Sequence, residues 1–436
     1  MNSGFVNKLS YPNIIWGSKF IPSSMPEIDA DGRLPLGQYA YAHAAADCVL
    51  MARDPIGCNK LFYGYNQESV LVVANRVTQL WDYGVKMADI FSCPPGEIIS
   101  VSKKGVARVA GGNWVNGKYK VPDFDVKNFQ KCVKQNLSQT FKNLNAQFQG
   151  YKVVVCLSGG LDSSIIASYS AQYFNDVTVA SFTYLCDHDM SSYIENANCK
   201  NWDSASHDFA CAAQVAKQLG LSFLPVVRSK QTVASVVVPS VVLGQDWRDF
   251  NVHCATVNLF LAQGIREAFP NENVLVLTGD LMNEFVCDYQ SEIIDGEVYY
   301  DVPKMPLARR RQFFVRGLDA GDREIGVFSS YGLMTCQPYG AVFADYMSVP
   351  QDILEQPNAK QILNAPLLPD NLMQYVGKSK VRAQVGGDDF GTLGVYRNLR
   401  VSTNELKHIW CNRFQMQSPA DCEQLIQFGR YRQSAC

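Results

Sequence analysis

The chain has 436 residues, 47% of them hydrophobic and 18% charged, with a net charge of −2 and a pI near 6.2. This is the composition of a folded chain of two or three domains; it excludes extended disorder, and the lack of a basic excess excludes an extended nucleic-acid surface. No run approaches the roughly 20 apolar residues of a bilayer span, and the start lacks the charged-then-apolar order of a signal peptide, so a cytoplasmic protein without membrane partners is expected. The 14 cysteines are scattered with no C-x-x-C pair and the 5 histidines have no H-x-x-x-H spacing, so neither a disulfide framework nor a transition-metal centre is expected.

In chain order, the first 120 residues carry short strand-like runs, SVLVVAN, GEIISVS and ARVAGGNW, separated by Gly, Asn and Pro turns. They predict a β-rich domain, 1–120. Apolar residues then recur at Phe129, Val133, Leu137, Phe141, Leu144 and Phe148, the period of an amphipathic helix that opens a second domain, 121–436. Beyond it strands alternate with helices: VVVCLS with SSIIASYSAQYF, VTVASFTYL with DFACAAQVAKQLG, LSFLPVV with a helix through Phe260 to Ala268, and NVLVLTG. Continuous apolar strands alternating with helices predict an α/β fold with a parallel sheet covered on both faces, binding its ligand at the strands' carboxyl ends. After Glu284 the pattern becomes irregular and helical.

LSGGLDSS, Leu157 to Ser164, joins the first of these strands to its helix. Ser158, Gly159 and Gly160 allow a ligand close to backbone N–H groups at a helix start, and Ser163 and Ser164 add hydroxyls, which suits a polyphosphate. Asp162 beside an anion makes sense when Mg²⁺ lies between them. The Walker pattern is absent: Gly377-Lys378-Ser379 would need glycine where Leu372 stands.

LSGGLDSS resembles the pyrophosphate loop of the N-type ATP pyrophosphatases, and its surroundings resemble their asparagine synthetase branch. NVLVLTGDLMNE, GLMTCQPY and KVRAQVGG resemble further segments of that branch, and ARDPIGCNKLFYGY with PPGEIISV resembles its glutaminase domain. The resemblance implies an Ntn-hydrolase-like first domain and an adenine-nucleotide α-hydrolase-like second domain with a helical C-terminal part. It implies an ATP- and Mg²⁺-dependent synthetase that adenylates a carboxylate, releases pyrophosphate, and joins the acyl group to an amine with release of AMP.

Carried onto this chain, the resemblance gives Leu157, Ser158, Gly159, Gly160, Asp162, Ser163, Ser164 and Gly279 to ATP. Metal ligation falls to Asp162, Asn283 and Glu284, with either Asp280 or Glu284 supplying the second charge or Mg²⁺ resting mainly on Asp162 and the phosphates. Lys380, six residues before Gly386, takes the transition-state charge, with Lys378 as its neighbouring candidate. Asp280 stands where β-lactam-forming relatives carry a tyrosine, and Glu324 or Asp322 of GDREIG falls near that tyrosine's glutamate partner. The family glutaminase uses a cysteine directly after the initiator methionine; here residue 2 is Asn2 and the first cysteine is Cys48, so glutamine hydrolysis is expected to be absent. That pattern resembles relatives of specialised natural-product pathways, including antibiotic biosynthesis.

The expected partners are a small-molecule carboxylate and an amine, which is external, ammonia or internal to the same molecule; a homodimer is compatible with all three. An ammonia-dependent asparagine synthetase-like enzyme, a nucleotide-binding homologue without catalysis and a tRNA-modifying enzyme are the alternatives. The last would need a basic tRNA surface that the composition lacks.

Overall fold

The computed structural model describes residues 4–16, 25–111, 124–184, 207–302, 304–316, 321–377 and 391–414. Its turn-rich beginning forms β1 (Phe5–Lys8), β2 (Ala40–Ala44), β3 (Val49–Arg53), β4 (Phe62–Tyr65), β5 (Leu71–Ala74), β6 (Phe91–Ser92), β7 (Glu97–Ser102) and β8 (Gly105–Gly111). One sheet runs β1-β5-β4-β6 and the other β8-β7-β3-β2. Successive side chains on a strand point to opposite faces. Leu71 and Val73 accordingly meet Met51, Ile99 and Val101 between the two sheets. Val72 and Ala74 point the other way and pack against Val236, Val252 and Leu259 of later helices. Both faces of β5 are therefore buried, which is why its sequence is an unbroken apolar run.

The long helix α1 (Val126–Gln147) starts where the Asp125 side chain accepts hydrogen bonds from the Lys127 N–H at 3.0 Å and the Asn128 N–H at 3.3 Å. Its apolar stripe, Phe129, Val133, Leu137, Phe141 and Leu144, is buried. There follow β9 (Lys152–Cys156), α2 (Leu161–Tyr173), β10 (Val177–Tyr184), α3 (His207–Leu219), β11 (Ser222–Arg228), α4 (Val233–Leu243), α5 (Asp249–Ala268), β12 (Val274–Leu277) and β13 (Met334–Cys336). These strands make one parallel sheet in the order β11-β10-β9-β12-β13. The α/β class and parallel sheet match the expectation. The fifth strand, MTC, is an addition, because three residues inside an irregular stretch are too short to show a period. Chain direction across the sheet reverses between β9 and β12, the place where an open α/β sheet leaves a crevice. Among the described residues no helix is long and apolar enough to cross a membrane.

The two regions share buried surface. Tyr11, Ile14 and Ile56 of the first belong to the same cluster as Val155, Leu277 and Tyr339 of the second. Polar ties accompany them: Gln38 Nε2 donates to the Thr335 carbonyl at 2.7 Å, the Val77 N–H to Gln245 Oε1 at 2.7 Å, and the Tyr11 hydroxyl to Asp322 Oδ2 at 2.7 Å. The boundary expected near residue 120 lies outside the described residues. Because the clusters cross between regions, denaturant should unfold the chain in one transition by fluorescence and circular dichroism alike. Tyr11→Phe, which takes a donor from a buried carboxylate, should lower its stability by about 1–3 kcal/mol; two separated transitions, with only one sensitive to Tyr11→Phe, would contradict the shared core.

Candidate active site

At the crevice, the turn after β9 is held by its own polar groups. The Ser158 N–H donates to Ser163 Oγ at 3.2 Å, the two hydroxyls lie 3.0 Å apart, and Ser163 Oγ also reaches the Gly160 carbonyl at 3.1 Å. Gly159 has φ +78°, and a Cβ there would lie 2.4 Å from the Asp208 carbonyl oxygen and 2.7 Å from Cys211 Cβ. Gly279, just after β12, faces the turn so closely that a Cβ would stand 2.8 Å from the Ser163 backbone nitrogen. The neighbouring strand end is thus pressed onto the start of α2. Ser158, Gly160, Asp162 and Ser163 line a cavity of about 570 Å³, the size of a small-ligand site. Leu157 and Gly279 line it too.

Two expected cradle residues have other tasks. Ser164 is fully buried and its hydroxyl donates to the Gly160 carbonyl at 2.8 Å, closing the first helical turn instead of offering a donor to the cavity. Gly159 does not line the cavity; it supplies the left-handed backbone that brings Ser158 and Gly160 round. Its carbonyl accepts from the Gly377 N–H at 3.1 Å, which ties the C-terminal part to the turn. Tyr339, in GLMTCQPY, secures the other side by donating to the Asp162 carbonyl at 2.9 Å.

Asp280 lines the cavity and is hydrogen-bonded to the Glu324 carboxyl, which is buried behind it. Burial raises both carboxyls above their ordinary range, and the charge of Asp280 raises Glu324 further. Glu324 is raised the more strongly of the two, which favours the proton on Glu324 and the charge on Asp280. Arg323 balances the group. Its Nε donates to Glu324 Oε1 at 2.6 Å, and one terminal nitrogen donates to Glu284 Oε1 at 2.8 Å. Of the two carboxyls in GDREIG, only Glu324 meets Asp280, since Asp322 is turned to Tyr11 and the Gly326 N–H. Glu324 does not itself line the cavity, so it acts through Asp280.

The expected metal set is not assembled. Glu284 is buried against Arg323 and the Tyr289 hydroxyl, which donates to it at 2.6 Å, and it does not line the cavity. Asn283 Oδ1 accepts from Lys360 Nζ at 2.8 Å, and the same ammonium lies 2.5 Å from Asp162 Oδ2 and 3.4 Å from Asp288 Oδ2. Burial pulls the Lys360 pKa down, but Asp162 and Asp288 outweigh it and hold the pKa above its ordinary value, so the side chain stays charged. A divalent ion on the same Asp162 oxygen would sit against this ammonium. Lys360 takes only one oxygen of Asp162: Asp162 Oδ1 is buried with no hydrogen-bond partner among the described residues and could hold a divalent ion, while Asn283 offers a neutral amide in second place. Among the described residues no group of three or more His, Cys, Asp or Glu is placed to hold a metal.

Sequence reasoning missed Lys360, which lies in the short helix Ala359–Asn364, and Arg323 of GDREIG, whose pairing with the distant Glu284 only the fold shows. Lys380 and Lys378 lie outside the described residues; Gly377, immediately before them in sequence, is the last described residue of that segment.

Residues 143–293 match the family model described as Asparagine synthase. Among curated proteins, the chain is 26% identical over 192 residues to asparagine synthetase [glutamine-hydrolyzing] 2 of Lotus japonicus, covering 43% of this chain and 26% of that one. It is 29% identical over 150 residues to asparagine synthetase [glutamine-hydrolyzing] 1 of Saccharomyces cerevisiae, covering 34% of this chain and 25% of that one. The match thus spans about a quarter of the length of these relatives. Among solved structures, an NMN synthetase from Francisella tularensis aligns at 15% identity and a TM-score of 0.25, covering 70% of this chain and 93% of that one.

The turn's geometry carries a prediction about ligand binding. Gly159→Ala should weaken binding of an ATP analogue by at least about tenfold in calorimetry, because the new methyl group collides with the Asp208 backbone. Gly84→Ala is the control: it has a similar positive φ of +79° but nothing within 4 Å, so it should leave binding unchanged.

Proposed function

Residues 143–293 belong to the asparagine synthase family, and on that premise we propose that the chain is an ATP-dependent amide-forming ligase that adenylates a carboxylate without hydrolysing glutamine. The observation that carries this reading is that Ser158, Gly160 and Ser163 of the turn line the same cavity as Asp280, which is backed by Glu324. A polyphosphate suits the turn. An amine suits the carboxylate.

In the proposed sequence, the substrate carboxylate attacks the α-phosphate and the bond to pyrophosphate breaks, while Ser158, Gly160 and Ser163 hold the departing phosphates. Lys380, three residues after Gly377 in the sequence, stabilises the charge that grows on the α-phosphate, where a fixed cation counts for more in the transition state than in the ground state. The amine then attacks the acyl carbonyl and AMP leaves. Asp280 takes the amine's proton, and Glu324 tunes it by donating a hydrogen bond.

The first region supports glutamine independence through its described cysteines. Burial pushes the Cys58 and Cys93 thiols up, the opposite of an activated nucleophile. Arg53 of the ARDPIG segment is consumed internally: it donates to the Asn59, Gly57 and Cys93 carbonyls and to the Ser92 hydroxyl. Asp54 beside it accepts four backbone N–H groups of the same turn, Ile56 to Asn59. The segment serves as a structural corner.

The protein should catalyse ATP–pyrophosphate exchange that depends on an added carboxylate, and should form no glutamate from glutamine. Lys380→Ala should reduce exchange by about 10²-fold or more; exchange at the wild-type rate would remove Lys380 from the reaction. Asp280→Asn should leave exchange largely intact while cutting amide formation by about 10²-fold. Because Asp280 must be ionised to accept a proton and burial raises its pKa, amide formation should fall on acidification at a pH above the ordinary carboxylate range. Glu324→Gln still donates to Asp280 and should lose less than Glu324→Ala; equal losses would remove the donor role.

A further inference from the structure

One wall of the cavity is a face of α5. Phe250, Cys254, Val257, Asn258 and Leu261 all line it, at positions i, i+4, i+7, i+8 and i+11, the stripe that one side of an α-helix presents. None of the five is a charged residue. Asn258, the polar member, is already engaged, its amide donating to the Arg323 carbonyl at 2.7 Å. At its N-terminal end the stripe reaches the groups proposed to react. The Phe250 ring lies 4.7 Å from Arg323 Cζ and 4.9 Å, edge to face, from the Tyr289 ring, which also lines the cavity. Val286 and Cys287 continue the lining beside Tyr289, and burial pushes the Cys287 pKa up to about 11, so it stays a neutral thiol.

Arg323 is the cation of this wall, and its donors are directed inward. Nε donates to Glu324 Oε1 at 2.6 Å, one terminal nitrogen to Asn251 Oδ1 at 3.3 Å, and the other to Glu284 Oε1 at 2.8 Å and the Tyr289 hydroxyl at 3.3 Å. A substrate carboxylate laid here would have to displace one of those acceptors or lose its water unpaired, with Asp280 repelling it. A hydrocarbon group in the same place meets no such cost, and it covers the apolar stripe of α5.

We propose that the acid adenylated at this site is a monocarboxylate with an apolar body, aliphatic or aromatic, which lies along the α5 stripe while its one carboxylate faces the nucleotide. Cys254, the small side chain between Phe250 and Val257, leaves the room that sets the length of that body. The inference names a substrate class for the ligase reading and rests on that reading.

The test is ATP–pyrophosphate exchange by the full-length chain with propanoate, pentanoate, 3-phenylpropanoate, glutarate and L-aspartate. Pentanoate and 3-phenylpropanoate should exceed glutarate and L-aspartate in kcat/KM by at least about tenfold. Cys254→Leu, which adds bulk in the middle of the stripe, should cut kcat/KM for 3-phenylpropanoate at least about tenfold more than for propanoate. If Cys254→Leu fails to fold, Phe250→Ala should raise KM for 3-phenylpropanoate more than for propanoate, and the wild-type comparison needs no variant. Equal losses for the long and short acids would remove the stripe from substrate selection. Exchange with glutarate or L-aspartate at the level of the monocarboxylates would overturn the inference and leave the ligase reading standing, whereas no acid-dependent exchange at all would overturn both.

Discussion

Arg323 is the charge on which the site is built. Three carboxyl groups, Asp280, Glu284 and Glu324, gather around one guanidinium that is 6% exposed, and a buried carboxylate without a partner is strongly unfavourable. The ion pairs fix geometry as well as charge. Glu284 belongs to the helix that follows β12 and Glu324 to the segment that precedes β13, so Arg323 ties together the two connections that meet at the carboxyl ends of these strands. Phe250 of α5 covers the guanidinium, its ring centroid 4.7 Å from Cζ, and Asn251 accepts a further hydrogen bond from it. The wall of the cavity is set by this cluster, and Asp280 takes its orientation from Glu324 behind it.

The opposite wall is set by steric closeness. Gly279 lets the end of β12 lie against the Ser163 backbone, and Gly159 lets the turn pass the backbone of α3. The first contact exists because β9 and β12 are neighbours in the sheet, the second because α3 returns beside the turn. The crevice at the switch point is thus pinned by glycines on one side and by an ion-pair cluster on the other.

The sequence made the sheet and the turn legible for a simple reason: VVVC and VLVL are strands buried on both faces, and LSGGLDSS is a local motif whose geometry depends on adjacent residues. α1 was readable from its stripe: the apolar positions from Phe129 to Leu144 fall inside the observed helix, Val126–Gln147, and Phe148 is its C-cap. What could not be read was the partnership of distant side chains. Lys360 is 198 positions from Asp162 along the chain and meets it only through the fold. Glu284 looked like a metal ligand because it stands next to Asn283 in sequence, but neighbours on a helix point in different directions, and its side chain goes to Arg323. Ser164 was misplaced likewise: in the first turn of a helix its hydroxyl finds the carbonyl four residues back before it finds a ligand.

A cavity proposed to take a nucleotide polyphosphate should not be lined by uncompensated negative charge, yet Asp162, Asp208, Asp280 and Asp288 all line this one. Each has its charge reduced by a different device. Asp162 and Asp288 share the Lys360 ammonium. Asp280 accepts a hydrogen bond from Glu324 and feels the field of Arg323. Asp208, at the start of α3, has its pKa pushed up to about 7 by burial, which disfavours its charged form. The negative charge of these acids is therefore partly offset inside the protein before any ligand arrives. An aspartate-rich cavity with Lys360 and Arg323 on its lining thus has its charge balanced acid by acid inside the protein, which suits the phosphate ligand proposed for it.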